Sequence, residues 1–158
     1  MGRQLSAYFV TRSKELIMSA TQFSIQADRR ERGQILKRLE EAEGVRLEMV
    51  DLEFGDYLLP NKIVVERKSA TDFILSVVDE GLWVNIENLE RLYARIVYIV
   101  EGDPYVARFH QKALDVHRAF ARMVVGHGIS VLPSADADHS AMLIYLMGLS
   151  ALETGAAA

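Results

Sequence analysis

The sequence contains no cysteine. That excludes disulfides and any thiolate metal site, and fits an intracellular protein. No apolar run approaches the roughly 18 residues needed to cross a membrane. The N-terminal residues carry no apolar signal core followed by small residues, so export is not expected. No Gly-x-Ser-x-Gly, P-loop or Gly-x-Gly-x-x-Gly segment occurs, which removes the usual serine hydrolase, NTPase and dinucleotide readings. The four histidines, His110, His117, His127 and His139, form no metal-ligand spacing with one another. His110 and His117, seven apart, read as a solvated helix face. A basic excess is also missing: 18 basic against 22 acidic residues give a net charge of −4. Any contact with nucleic acid must then come from local clusters, and it should be weak and strongly salt-dependent.

What is present suits one globular domain. Of 158 residues, half are hydrophobic and a quarter charged. Residues 1–22 read as an extension, because Arg12, Lys14 and Glu15 interrupt the apolar Leu5, Tyr8, Phe9 and Val10. The domain proper is expected over 23–153, with 154–158 frayed. Alternating Phe23, Ile25 and Ala27 predict a strand. Residues 30–43 carry helical spacing (Ile35, Leu36, Leu39, Ala42), closed by Gly44. Strands are expected over 45–52, 55–59 and 62–68, the last two joined by Pro60-Asn61, and the three read as a meander. Helices follow over 69–78 and 83–93, separated by Asp79-Glu80-Gly81. The apolar run 96–100 predicts a central strand covered on both faces. A long helix is expected over 112–127, with Val116, Ala119, Phe120, Met123 and Val124 on one stripe. A short strand over 129–132 and a last helix, capped by Asp136 or Asp138 and reaching about Glu153, complete a mixed α/β sheet with helices on its faces.

The chemistry concentrates in Val64-Val65-Glu66-Arg67-Lys68-Ser69-Ala70-Thr71-Asp72. An apolar strand runs directly into charge. Side chains alternate along a strand, so Glu66 and Lys68 share one face and Arg67 takes the other. A carboxylate and an ammonium at the end of a buried strand are costly unless they serve each other or a bound ion. Asp56, across a tight hairpin from Glu66, could complete a two-carboxylate site for a hard cation such as Mg²⁺ or Mn²⁺. Taken alone, Asp56 would be a turn residue after Gly55. Ser69-Ala70-Thr71-Asp72 forms a capping box, which by itself accounts for Asp72. Arg67 is expected to pair with a carboxylate or a DNA phosphate. Asp28 could cap the first helix, with Glu31 three residues on.

Gly55-Asp56-Tyr57, with Glu66-Arg67-Lys68 beginning ten positions after Asp56 and with Asp72 beyond, resembles the nuclease domain of the XPF/Hef family. That family shows Gly-Asp, a gap, then Glu-Arg-Lys-x-x-x-Asp. The likeness extends from about Phe23 to Leu152 and includes the strand ending in Glu101-Gly102. It implies a restriction-endonuclease-like fold of the PD-(D/E)XK type and a metal-dependent DNA endonuclease. Asp56 and Glu66 would be ligands of Mg²⁺, with Mn²⁺ as a substitute, and Lys68 would work beside them. The family also carries an Asp-x-Arg-Glu element, which implies Asp28, Arg30 and Glu31 as site residues, together with Arg67 and Asp72. Arg29, Arg30, Arg32 and Arg67 are candidate DNA contacts. Lys37, Arg38, Arg118 and Arg122 read as solvated helix faces.

The last helix is apolar almost all round (Met142, Leu143, Ile144, Tyr145, Leu146, Met147, Leu149). That suggests a partner, and the resemblance implies a homodimer through C-terminal helices. There are departures. Asp79-Glu80-Gly81-Leu82 and Asn85 stand where the family commonly has Asp-Gly-Arg-Leu and then Gln. Within these 158 residues neither a tandem helix-hairpin-helix nor a helicase segment is expected. The expected activity is cleavage of branched, flapped or forked DNA in repair or recombination. The alternatives are a non-catalytic dimerisation or DNA-structure-binding scaffold, and a nuclease acting on RNA or single strands, for which no aromatic stacking platform is present.

Overall fold

The structure, a computed structural model, describes residues 22–106 and 113–156. The expected extension over residues 1–21, His110 and the start of the long helix lie outside the described residues. Six strands form one mixed sheet in the order β2-β1-β3-β4-β5-β6. They are β1 (Phe23–Asp28), β2 (Val45–Val50), β3 (Tyr57–Leu59), β4 (Ile63–Ser69), β5 (Arg95–Glu101) and β6 (Ser130–Ser134). β1 pairs in parallel with β2, and β4, β5 and β6 run parallel to one another. β3 lies antiparallel between β1 and β4.

The sheet divides the core in two. Alternation sends Ile25, Ala27, Tyr57, Val65, Val97 and Ile99 to one face, beneath helices α1 (Gln34–Glu40) and α5 (Ala137–Ala156). It sends Val64, Ile96, Tyr98 and Val100 to the other, beneath α2 (Ala70–Val78), α3 (Gly81–Leu92) and α4 (Ala113–Ala121). β5 is buried from Ile96 to Val100, as a strand covered on both faces must be. Each fully buried large side chain contributes about 1.5–3 kcal/mol. No described helix is long and apolar enough to cross a membrane.

Four expectations are corrected. The strand over 45–50 is not part of a meander: it pairs with β1 through the α1 crossover and occupies the sheet edge, leaving only β3 and β4 as a hairpin. The first helix begins at Gln34 rather than Arg30, and Asp28 does not cap it. Gly33, with φ 96°, stands at the N-cap, and the Asp28 carboxylate is turned to Arg30. The long helix breaks after Ala121 into a π-turn over Arg122–Gly126. Its wider turn carries Val124 and Val125 outward to 51% and 86% exposure, so Val124 leaves the core stripe. The last helix continues past Glu153 to Ala156. Ser69 caps α2 as expected, its Oγ accepting from the Asp72 N–H at 3.1 Å.

Candidate active site

The β3–β4 hairpin assembles the centre. Tyr57 faces Val65 in register, and the Asp56 N–H also donates to the Val65 carbonyl, at 3.0 Å, so two residues of one strand meet one of the other at this end of the hairpin. The Asp56 carboxylate accepts from the Arg67 N–H at 2.7 Å, which brings it to β4 between Glu66 and Lys68, whose charges both act on it. Glu66 and Lys68, two residues apart, share one face of that strand. Asp56 is fixed from both sides: its backbone carbonyl accepts from the Asp28 N–H at 2.9 Å, and its side-chain Oδ2 accepts from the Arg67 N–H at 2.7 Å.

Gly55 sets the approach to Asp56. Its φ is 95°, and a Cβ there would collide with Cγ2 of the buried Val64. Gly55→Ala should therefore lower stability by about 2–4 kcal/mol, combining a left-handed backbone with overpacking. Urea denaturation of the variant and parent measures this directly.

Burial and like charge dominate the electrostatics. Burial, then the neighbouring Glu66 charge, pushes the Asp56 carboxyl up to about 8, against the pull of the Arg67 N–H and the Lys68 ammonium. Glu66, only 9% exposed, is also raised, chiefly by burial. The Lys68 ammonium and then the Asn85 amide draw it back toward the charged form. No hydrogen bond or ion pair within 4 Å occupies the Lys68 ammonium among the described residues. Two oxygen-donor side chains that repel one another in a dry setting, beside a cation free to move, can hold a hard divalent ion and face a phosphodiester.

The ERCC4 domain pattern matches residues 27–147. The chain belongs to the ERCC4 domain family. The DNA repair endonuclease XPF of Mus musculus is 40% identical over 86 residues, covering 54% of this chain and 9% of the mouse protein. The 3′-flap repair endonuclease Xpf of Saccharolobus solfataricus is 26% identical over 121 residues, 76% of this chain and 52% of that protein. XPF from Aeropyrum pernix, in complex with DNA, shares the fold with a TM-score of 0.77 at 29% identity, covering 84% of this chain and 66% of that one. The chain thus spans about half or less of the length of the two sequence relatives named here. The mixed six-stranded sheet flanked by helices is the restriction-endonuclease-like architecture expected from the sequence.

The remaining candidates of this ERCC4 domain sort by distance from the carboxylates. Asp28, nearly fully buried, accepts from Arg30 Nε at 2.6 Å, and Arg30 Nη2 reaches the Leu52 carbonyl at 3.1 Å. The Asp28 contact raises the Arg30 guanidinium, with smaller contributions from Asp56 and Glu66, so Arg30 stands at the rim of the site. Glu31 is held by the buried Tyr57 hydroxyl, which donates to its Oε2 at 2.7 Å, and its charge is felt at both central acids. Arg32 folds back onto the carbonyls of Arg29 and Glu31, and Arg29 pairs loosely with Asp51 at 3.4 Å. Asp72 is exposed, and its carboxylate makes no hydrogen bond or ion pair among the described residues. The structure gives it the helix start and does not bring it to Asp56 or Glu66.

Arg67 lies on the opposite face, as alternation requires. Its Nε and Nη2 donate to Glu101 at 2.7 and 2.6 Å, and Ser140 Oγ donates to the same carboxylate at 2.7 Å. Ser134 and Ser140 are joined at 2.8 Å. This network ties the ends of β4, β5 and β6 to α5, so Arg67 braces the site from behind. Sequence reasoning missed Tyr57, Tyr98 and the contacts of Asn85. Among the other basic residues, Arg38 links α1 to Asp138 at the start of α5 (2.8 Å), and Arg122 stacks on Trp83. No group of three or more His, Asp or Glu side chains disposed to hold a metal occurs among the described residues.

Proposed function

We propose that this ERCC4 domain is a metal-dependent DNA endonuclease that hydrolyses phosphodiester bonds in branched, flapped or forked DNA. The observation that carries the reading is the Asp56 carboxylate bonded to the Arg67 N–H of β4, between Glu66 and Lys68, whose charges both act on it. Family membership supports the reaction class. The name of the Saccharolobus relative and the DNA complex of the Aeropyrum relative support the substrate.

The donor set fits Mg²⁺, or Mn²⁺ in its place. Both groups are oxygen ligands, and both are raised by burial and repulsion that a divalent cation would relieve. Asp56 and Glu66 would hold the ion, leaving positions for water and phosphate. When bound, it supplies charge stabilisation at the phosphate and lowers the pKa of a water nucleophile. Lys68 offsets negative charge developing on the phosphate and orients the attacking water. The backbone and side-chain contacts of Asp56 and the Arg67–Glu101 pair keep the two strands from shifting, which holds the acids in their mutual geometry. Arg30, at the rim, meets the DNA backbone. A homodimer through α5 follows from the apolar surface that helix still presents, with Leu146 37% exposed and Met142 and Leu143 half-buried.

The test is incubation of the protein with labelled flap, fork and duplex DNA, with Mg²⁺, with Mn²⁺ and with chelator. Cleavage of the branched substrates only when metal is present is expected. A folded protein that cleaves none of them would overturn the enzyme reading in favour of a DNA-binding scaffold.

A further inference from the structure

β4 and β5 pair in parallel with Glu66 opposite Tyr98, so the Tyr98 phenol lies beside the carboxylate on the α3 side of the sheet. Tyr98 is completely buried. A buried phenol needs a hydrogen-bond partner. That partner is Asn85, in the second turn of α3, whose Nδ2 donates to Tyr98 Oη at 2.7 Å. A primary amide carries two hydrogens on this nitrogen. The amide also stabilises the Glu66 carboxylate. α3 is a firm base for this contact, because Leu82, Ile86 and Leu89 on either side of Asn85 are fully buried.

We propose that Asn85 and Tyr98 are positioning residues for Glu66: the Tyr98 hydroxyl fixes the Asn85 amide, and the amide fixes the orientation of the carboxylate. The inference rests on the reading of Glu66 as a metal ligand. It adds that the ligand's orientation is imposed from α3 and β5, not from the hairpin that carries it. A glutamate left free would lose about 1.5–2 kcal/mol of rotamer entropy on binding the ion. Here that ordering is completed when the domain folds.

Calorimetric titration of Mn²⁺ into the full chain tests this, with melting curves recorded for every variant. Outer partners of metal ligands typically contribute about 10–100-fold in affinity. Asn85→Ala should weaken Mn²⁺ binding by about that factor while unfolding stays cooperative. Asn85→Gln should recover part of the loss, since it restores the donor. Tyr98→Phe, which removes one oxygen from a packed ring, should weaken binding less than Asn85→Ala. It also decides the matter if Asn85→Ala fails to fold. Parent-like affinity in both Asn85→Ala and Tyr98→Phe, alongside weak binding by Glu66→Gln, overturns the positioning role and leaves the ligand assignment standing. Parent-like affinity in Glu66→Gln overturns the ligand assignment and this inference with it.

Discussion

Glu66→Gln is expected to reduce Mg²⁺-dependent cleavage by about a thousandfold or more, with melting temperature equal to or above that of the parent. A metal ligand's charge supports several kcal/mol of transition-state stabilisation, and about 4 kcal/mol corresponds to a thousandfold in rate. The fold should tolerate the change, because glutamine has the same shape and keeps a carbonyl oxygen that accepts hydrogen bonds. The substitution also removes the second-largest cause of the raised Asp56 carboxyl. Single-turnover cleavage of a labelled flap measures the rate, and a thermal melt at the same pH measures the fold. Undiminished cleavage by a folded variant would end the assignment.

Asp56→Asn has effects of opposite sign on activity and stability. Cleavage should fall as it does in Glu66→Gln, since half the ligand pair is gone. Without metal, however, the variant should be the more stable protein at alkaline pH. A carboxyl whose native pKa, about 8, lies above its unfolded value of about 4 keeps its proton longer when folded. Between those values the native state binds more protons than the unfolded one, so this group's contribution to stability falls as pH rises. Asparagine does not titrate and can still accept the Arg67 N–H. The variant's stability should therefore exceed the parent's by up to about 5 kcal/mol at pH ~9, at about 1.4 kcal/mol per pH unit between the two values, roughly 10–20 °C in Tm, with the gap closing below pH ~4. Adding Mg²⁺ at pH ~8 should raise the parent's Tm by mass action and leave the variant unmoved. Paired melts across pH, with and without metal, test both halves. A variant no more stable than the parent at high pH would contradict the repulsion described here.

The central cluster was legible because local signals agreed: Ile63, Val64 and Val65 mark a buried strand, Glu66 and Lys68 share its face, and Pro60-Asn61 closes the hairpin that returns Asp56. Ser69 was legible as a cap for the same reason. What escaped depended on partners remote in sequence. Alternation in Val45–Val50 reveals a strand but not its neighbour, so its parallel pairing with β1 was not visible. Tyr98 sits in an apolar run and reads as core. Its link to the site emerges only once the β4–β5 register sets it against Glu66. Asn85 registered as a departure from a family pattern, and its bond to Tyr98 joins elements that the sequence does not place together. The π-turn at Arg122–Gly126 leaves no mark in hydrophobic spacing, since Val124 continues the helical stripe on paper.

β4 has hydrogen-bonded neighbours on both edges and packed helices on both faces. Glu66 thus rides on the part of the chain that yields only when the whole domain does. A lesion that works by slackening will fail as a folding defect first, and inactivity in such a variant will say nothing about chemistry. Only replacements that keep volume and hydrogen-bond capacity can separate architecture from reaction.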